Sequence, residues 1–325
     1  MIKIKKIIAA GALSIFAFSA VGCQMIQKTP EAIKNTVLAK VGDLKVTRGD
    51  VDELADPYLQ QYGEDYDTNA ELAEQVKQLR TQAINLLVEQ KIMYKKAEEL
   101  DVLPTEEEVE AETDKYIESQ KETFGGEDAF NTALTNAGMT LDEYKEKLRK
   151  NIEDGLISTN VTNEIFKDIT VSDEEIQKYY DEHLDSFKTA TVSHILIKDE
   201  EKAKEIRERA VNGEDFATLA KEYSEDPGSK ENGGSLGTVT YDTTEYYQEF
   251  TDGFKKLNEG EISELVKTQV GYHIIKVTDI KQKTLDEAKD SIKTTLEDEK
   301  KSEIYTSSIE QWKKDYKVKT YENRL

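Results

Sequence analysis

Two short apolar runs, TVSHILI at 191–197 and TQVGYHIIKV at 268–277, each carry one histidine, His194 and His273. Both carry β-branched residues and are bounded by turn residues, the pattern of buried strands. An imidazole is costly to bury unless its ring nitrogens are hydrogen-bonded. Two of them on core strands therefore imply a polar network inside a small domain. Strand alternation puts His194 on the face of Val192 and Leu196, and His273 on the face of Ile275 and Val277.

Between the two runs lie GEDFATLAKEYSEDPGS (213–229), ENGGSLG (231–237) and GEIS (260–263). In this order the pieces resemble the parvulin family of peptidyl-prolyl cis–trans isomerases over Thr191 to Thr278: first His strand, helix, G-x-D-F helix, S-x-D-P, G-G-x-L-G, G-x-I-S, G-Y-H-I-I. The resemblance implies an α+β fold with a small mixed or antiparallel sheet flanked by helices. It implies isomerisation of X-Pro peptide bonds, with His194 and His273 as the family's paired histidines, Thr268 joining their network, and Asp226 where many bacterial members have Asp. Leu236 and Phe250 match the family's proline pocket. Its Met position is departed from, being filled by Tyr246, or by Tyr247 with a small shift, and the segment 238–249 runs a little longer than the common pattern. Plainer readings stand beside these: histidines that only hold the sheet together, an Asp that opens a turn before Pro227, and apolar residues that merely pack.

The first residues read as an export signal. Lys3, Lys5 and Lys6 precede an apolar stretch, Ile7 to Val21, too short for a spanning helix of about 20 residues. It ends in Ala20-Val21-Gly22-Cys23, which resembles a bacterial lipoprotein signal. That implies a chain cut at 22/23, lipidated on Cys23 and held on the extracytoplasmic face of the cell membrane. An ordinary secretory signal or an uncleaved anchor is the other reading. Cys23 is the single cysteine, so no intramolecular disulfide is expected and an exported fold rests on its core alone. Loss of the three leader lysines takes the net charge from −23 to −26. Such acidity argues against nucleic acid and against adsorption to anionic lipid.

The rest of the chain reads as mostly helical. TVLAKVGDLKVTRGDV (36–51) suggests two strands around Gly42-Asp43 and a helix starting near Thr47 or Asp50. Apolar residues then recur at Leu72, Val76, Leu79, Ala83, Leu86, Leu87, Met93, Tyr94, Ala97 and Leu100, an amphipathic helical pattern. Thr105/Glu108, Thr140/Glu143 and Ser172/Glu175 are capping-box signatures announcing three more helices. Leu141, Tyr144, Leu148, Ile152 and Leu156 form the stripe of the middle one. After Ile280 a helix carrying Leu285, Ala288, Ile292, Leu296, Ile304, Ile309 and Trp312 leads to a short strand near 317–321. This tail is too short for a domain and is expected to return to the N-terminal helices.

With VGDLKVT (41–47) and AINLLVEQ (83–90), that layout resembles the PrsA group of foldase lipoproteins and, more distantly, the SurA chaperones. The expected domains are a signal peptide (1–22), a tether (23–35), a chaperone lobe from 36–187 completed by 283–325, and an inserted isomerase domain (188–282). The resemblance implies unfolded secreted polypeptides as partners and leaves a homodimer open. No cofactor is expected, and no metal, since the histidines lack ligand spacing. KDEEKAKE (198–205) has no arginine cluster, which argues against phosphoserine-proline selectivity. Two rivals are a holdase whose parvulin segment is only a scaffold and a solute-binding lipoprotein, the latter lacking its repeated strand–helix units here.

Overall fold

The computed structural model describes residues 29–63 and 66–325; Cys23 and the signal segment lie outside them. In chain order the elements are α1 (Pro30–Lys34), β1 (Val37–Val41), β2 (Leu44–Thr47), α2 (Arg48–Leu59), α3 (Ala73–Leu100), α4 (Glu106–Thr123), α5 (Glu127–Asn136), α6 (Leu141–Phe166) and α7 (Asp173–Glu182). There follow β3 (Lys188–Ile197), α8 (Glu200–Val211), α9 (Phe216–Tyr223), β4 (Ser235–Thr240), α10 (Gln248–Lys255), β5 (Val266–Thr268), β6 (Gly271–Gln282), α11 (Leu285–Asp315) and β7 (Lys319–Thr320). The architecture is α+β. Among the described residues no helix is long and apolar enough to cross a membrane.

Two compact units emerge: the described residues up to Ser158 together with Gln311–Leu325, and Thr159–Glu310. The first is built on the antiparallel sheet β2-β1-β7. Thr47 caps α2 reciprocally with Asp50, so the chain turns from strand to helix with its first amides satisfied. The C-terminal tail joins the N-terminal strands as well as a helix: Ala39 faces Thr320, Tyr321 N donates to Leu38 O at 2.8 Å, and Lys96 Nζ lies 5.4 Å from the Trp312 ring. In α3 the buried positions are Val76, Arg80, Ala83, Ile84, Val88, Ile92, Met93 and Ala97. Of the apolar stripe expected from sequence, Val76, Ala83, Met93 and Ala97 lie in this face, while Leu86 is 49% exposed. Arg80 takes a core position in the same face, its charge matched by Asp52 at 3.1 Å and Asp67 at 2.7 Å.

The three capping boxes form as the sequence announces, at Thr105, Thr140 and Ser172. Thr284 with Glu287 likewise starts α11. The helix α5 carries no side-chain cap at Gly126, so nothing in the capping pattern announces it. It is held instead by Phe130 and Leu134, packed with Ile117, Tyr144 and Leu148. Within the stretch expected as a tether, α1 is a short helix capped by Thr29 with no buried residue.

The second unit is organised around the antiparallel sheet β4-β3-β6-β5. The central pair, β3 and β6, is apolar on both faces, as a sheet covered on both sides must be. On one face Ala190, Val192, Ile275 and Val277 pack with Phe250 and Phe254 of α10. On the other, Ile195, Ile197 and Ile274 pack with Ala203, Ile206, Phe216 and Leu219 of α8 and α9. The alternation read from the sequence therefore holds. Lys188 pairs with Gln282, so the chain enters and leaves the sheet at adjacent points. Outside that pair, Ile176 of α7 packs with Ala288 and Ile292 of α11. Because of this packing the units are cut inside α6 and inside α11, whereas the sequence reading sets domain edges at 187/188 and 282/283.

Candidate functional site: a histidine pair beneath an apolar groove

Strand pairing brings the two histidines together. His194 on β3 faces Ile275, and Leu196 faces His273 on β6, so both imidazoles emerge on one face, one step apart. Their Nδ1 atoms lie 3.0 Å apart, with ring centroids at 5.3 Å. His194 Nε2 reaches Asp226 Oδ2 at 2.8 Å and Ser229 Oγ at 3.0 Å. On the far side His273 Nε2 lies 2.9 Å from Thr268 Oγ1, which also receives the Val270 N–H at 3.3 Å. The four residues His194, Asp226, Thr268 and His273, the first and last 79 positions apart in sequence, thus make one hydrogen-bonded chain.

The loop that carries Asp226 is held on both sides. Ser224 Oγ accepts from Asp226 N at 3.3 Å and from Leu196 N at 3.2 Å. The Ser229 hydroxyl donates to Asp226 Oδ2, and Gly228 N donates to Oδ1 at 3.2 Å. Beyond it the loop presses on β3, where His194 N donates to Gly234 O at 2.8 Å. Gly234 has φ +80, and a Cβ there would sit 2.2 Å from His194 O. Only glycine permits that approach.

Burial pushes the Asp226 carboxyl up, but hydrogen bonds from Ser229, His194 and the Gly228 amide outweigh it and hold it at about 2. Burial, reinforced by the neighbouring His194, pushes His273 down to about 4, against the opposing pull of Asp226. An ionised Asp226 needs donors. With both rings neutral, His194 Nε2–H then donates to Asp226, His273 Nδ1–H donates to His194 Nδ1, and the Thr268 hydroxyl donates to His273 Nε2. The bonds all run in one direction, towards the carboxylate.

A groove of about 680 Å³ opens over this chain, lined by His194, Leu196, Asp226, Leu236, Glu245, Tyr246, Tyr247, Phe250, Val270 and His273. Phe250 is only 2% exposed and forms the floor. Its ring meets His194 edge-on at 5.5 Å and His273 at 5.2 Å, and Tyr246 lies 5.3 Å from it. Both Tyr246 and Tyr247 reach the groove, Tyr247 as the more exposed of the two. All seven residues singled out from the sequence meet at this one place. Ser229 and Ser224, both buried, were not singled out, and neither were Leu196, Val270 and Glu245. Their only signal was position: two serines flanking Asp226 in SEDPGS, Leu196 two residues along the strand from His194, Val270 just before the strand of His273, and Glu245 beside Tyr246. Among the described residues no three His, Cys, Asp or Glu side chains converge as a metal ligand set.

The depressed basicity of His273 has a consequence for stability. The unfolded imidazole takes up a proton near its ordinary value of 6.5, the folded one only near 4. Between those values acid favours the unfolded chain. The unfolding temperature is expected to fall as pH drops from 6.5 towards 4, and to fall less steeply in His273→Gln. An equal slope in parent and variant would remove His273 as the cause.

Residues 175–281 match the family of PPIC-type PPIASE domains, and residues 2–155 match the SurA-like N-terminal domain. The chain is 40% identical over 337 aligned positions to a foldase protein PrsA of Clostridium botulinum, covering 99% of this chain and 98% of that one. It is 37% identical to a foldase protein PrsA of Clostridium kluyveri over 97% of this chain and 96% of that one. Among solved structures, the peptidylprolyl isomerase PrsA of Bacillus cereus is 30% identical with a TM-score of 0.38, covering 87% of this chain and 91% of that one. The parvulin NmPin of Nitrosopumilus maritimus is 40% identical with a TM-score of 0.27, covering 28% of this chain and 97% of that one. With near-complete coverage at this identity, and an isomerase domain matched where the paired histidines stand, the chain belongs to the PrsA family of foldases with a parvulin-type peptidyl-prolyl cis–trans isomerase domain.

Proposed function

We propose that this chain is a lipid-anchored foldase on the extracytoplasmic face of the membrane, isomerising X-Pro bonds in unfolded secreted polypeptides. His194, Asp226, His273 and Thr268 act as its catalytic residues, and Leu236, Tyr246 and Phe250 bind the proline. The observation that carries this reading is the hydrogen-bonded chain from Thr268 through both histidines to Asp226 beneath an apolar groove.

Rotation of an X-Pro amide faces a barrier of about 18–20 kcal/mol, set by resonance between nitrogen and carbonyl. No bond is broken, so the catalyst need only bind the twisted amide better than the planar one. Twisting withdraws charge from the carbonyl oxygen and returns it to nitrogen. A fixed carboxylate facing that oxygen therefore penalises the planar form more than the twisted one. Asp226 suits this role: it is ionised at physiological pH and its side chain retains 24% of its exposure. The imidazole pair holds it in place, and Leu236, Tyr246 and the Phe250 floor offer the ring an apolar bed.

The charged side chains lining the groove are Asp226 and Glu245. Turnover of a peptide series is the test of function. Catalysed exchange is expected on X-Pro peptides, faster by about fivefold with Lys than with Glu before the proline, and this ratio should shrink in high salt. Exchange at the uncatalysed rate for every peptide would contradict the isomerase reading.

The anchor and the domain layout belong to the same proposal. Membrane retention is assigned to Cys23: Cys23→Ser should abolish lipid labelling and release the chain, and undiminished labelling would sink the assignment. The isomerase domain is taken as 188–282, inserted between the chaperone segments 36–187 and 283–325. The pairing of Lys188 with Gln282 supports an insertion, since both ends of the segment leave from one point. Sedimentation of the chain from Cys23 onward distinguishes a monomer from the homodimer the family resemblance leaves open.

A further inference from the structure

We propose that Ser229 is a positioning residue of the isomerase site, and that its hydroxyl holds Asp226 against His194 Nε2 and so keeps the proton on that nitrogen. The Ser229 side chain is 1% exposed. It donates to Asp226 Oδ2 and lies 3.0 Å from His194 Nε2. A hydroxyl has one proton and two lone pairs. Its proton goes to the carboxylate, so the side of Ser229 Oγ that faces His194 is an acceptor. Nε2 is thereby met by two acceptors, Asp226 Oδ2 and Ser229 Oγ, and must be the protonated nitrogen. His194 Nδ1 is left bare and can only accept, which obliges His273 Nδ1 to donate and His273 Nε2 to accept from Thr268. Ser229, by holding Asp226 against Nε2 and adding a second acceptor there, thus supports the direction of every bond from Asp226 to Thr268.

Ser229 is itself held from two directions. Its carbonyl accepts the Asn232 N–H at 3.0 Å and the Gly234 N–H at 2.9 Å, and Gly234 O in turn accepts His194 N–H at 2.8 Å. The hydroxyl is therefore referenced to the backbone of the very histidine it orients. Without it, Asp226 loses a donor and is freer to turn, and Nε2 loses an acceptor. The Nδ1–H form of His194 then becomes accessible, and the chain can run either way.

The inference rests on the assignment of His194 and Asp226 to the isomerase site, and its test separates the two. Imidazole nitrogen chemical shifts of the full chain, labelled with ¹⁵N-histidine, report the tautomers without any turnover. In the parent, His194 is expected as a single Nε2–H form and His273 as a single Nδ1–H form. In Ser229→Ala a mixture is expected, with kcat on an X-Pro peptide lowered about fivefold and KM changed less than twofold. Ser229→Cys, similar in size with a weaker donor and acceptor, should fall between, and it carries the same two readouts should the alanine variant fail to fold. Unmixed tautomers in the variants would overturn the proposal, even where turnover falls. Parent-like kcat beside mixed tautomers would overturn it as well.

Discussion

Gly234→Ala is expected to destabilise the Thr159–Glu310 unit by about 3–5 kcal/mol, in the range reserved for severe steric or backbone defects. The added Cβ would lie 2.2 Å from His194 O, 3.0 Å from Ala220 Cβ and 3.2 Å from the His194 carbonyl carbon, on a residue with φ +80. The worst overlap is with backbone, which no rotamer change relieves. Either the loop 229–234 lifts from β3 or β3 itself shifts, and both break the His194 N–H bond to Gly234 O. Gly237 provides an internal comparison. Its φ is +76, but a Cβ there meets nothing within 4 Å, so Gly237→Ala should lose only the left-handed penalty of about 1–2 kcal/mol. Urea denaturation of the two variants checks this. Equal losses would mean that the close approach to His194 does not matter and that backbone conformation explains both.

His194→Ala or Asp226→Ala should lower kcat/KM on an X-Pro peptide by about tenfold or more, which is about 1.4 kcal/mol or more of transition-state stabilisation. Neither change need abolish the reaction, since rotation uses no nucleophile. His194→Ala removes the partner of both His273 and Asp226 and leaves His273 Nδ1 without its acceptor, so a stability loss accompanies it. Asp226→Ala removes the carboxylate and leaves the imidazole pair in place, which makes it the cleaner probe. As the floor touching both imidazoles, Phe250 should affect kcat as well as KM when replaced, besides a packing loss of about 3–5 kcal/mol. Suppression of aggregation of a proline-free client should survive Asp226→Ala, because the helices before Ser158 do not depend on this groove. Parent rates in a folded Asp226→Ala chain would make the site a scaffold and leave a holdase.

The isomerase sheet was legible because its residues are constrained twice, by a buried strand and by a polar network. A histidine inside TVSHILI or GYHIIKV has few physical explanations, and strand alternation assigns its face. The α3 face was less legible. Leu86 continues the apolar pattern yet lies exposed, while Arg80 takes a buried place that hydropathy assigns to solvent, held there by Asp52 and Asp67 from other segments. Such pairings across 28 and 13 positions leave no periodic trace. The helix α5 escaped notice because its start is a glycine turn at Gly125-Gly126 without a capping side chain. Ser229 escaped because a serine in a Pro-Gly turn is ordinary, and only the fold of the loop brings its hydroxyl between Asp226 and His194.

The most direct test of the account is cis–trans exchange in one X-Pro peptide, followed by NMR line shape or exchange spectroscopy, with the parent and Asp226→Ala at equal concentration and with their thermal unfolding measured in parallel. Catalysed exchange by the parent is expected, with a drop of about tenfold or more in the variant at a temperature where both chains remain folded. Equal exchange rates in two equally folded chains would contradict a catalytic role for the carboxylate at the end of the histidine pair.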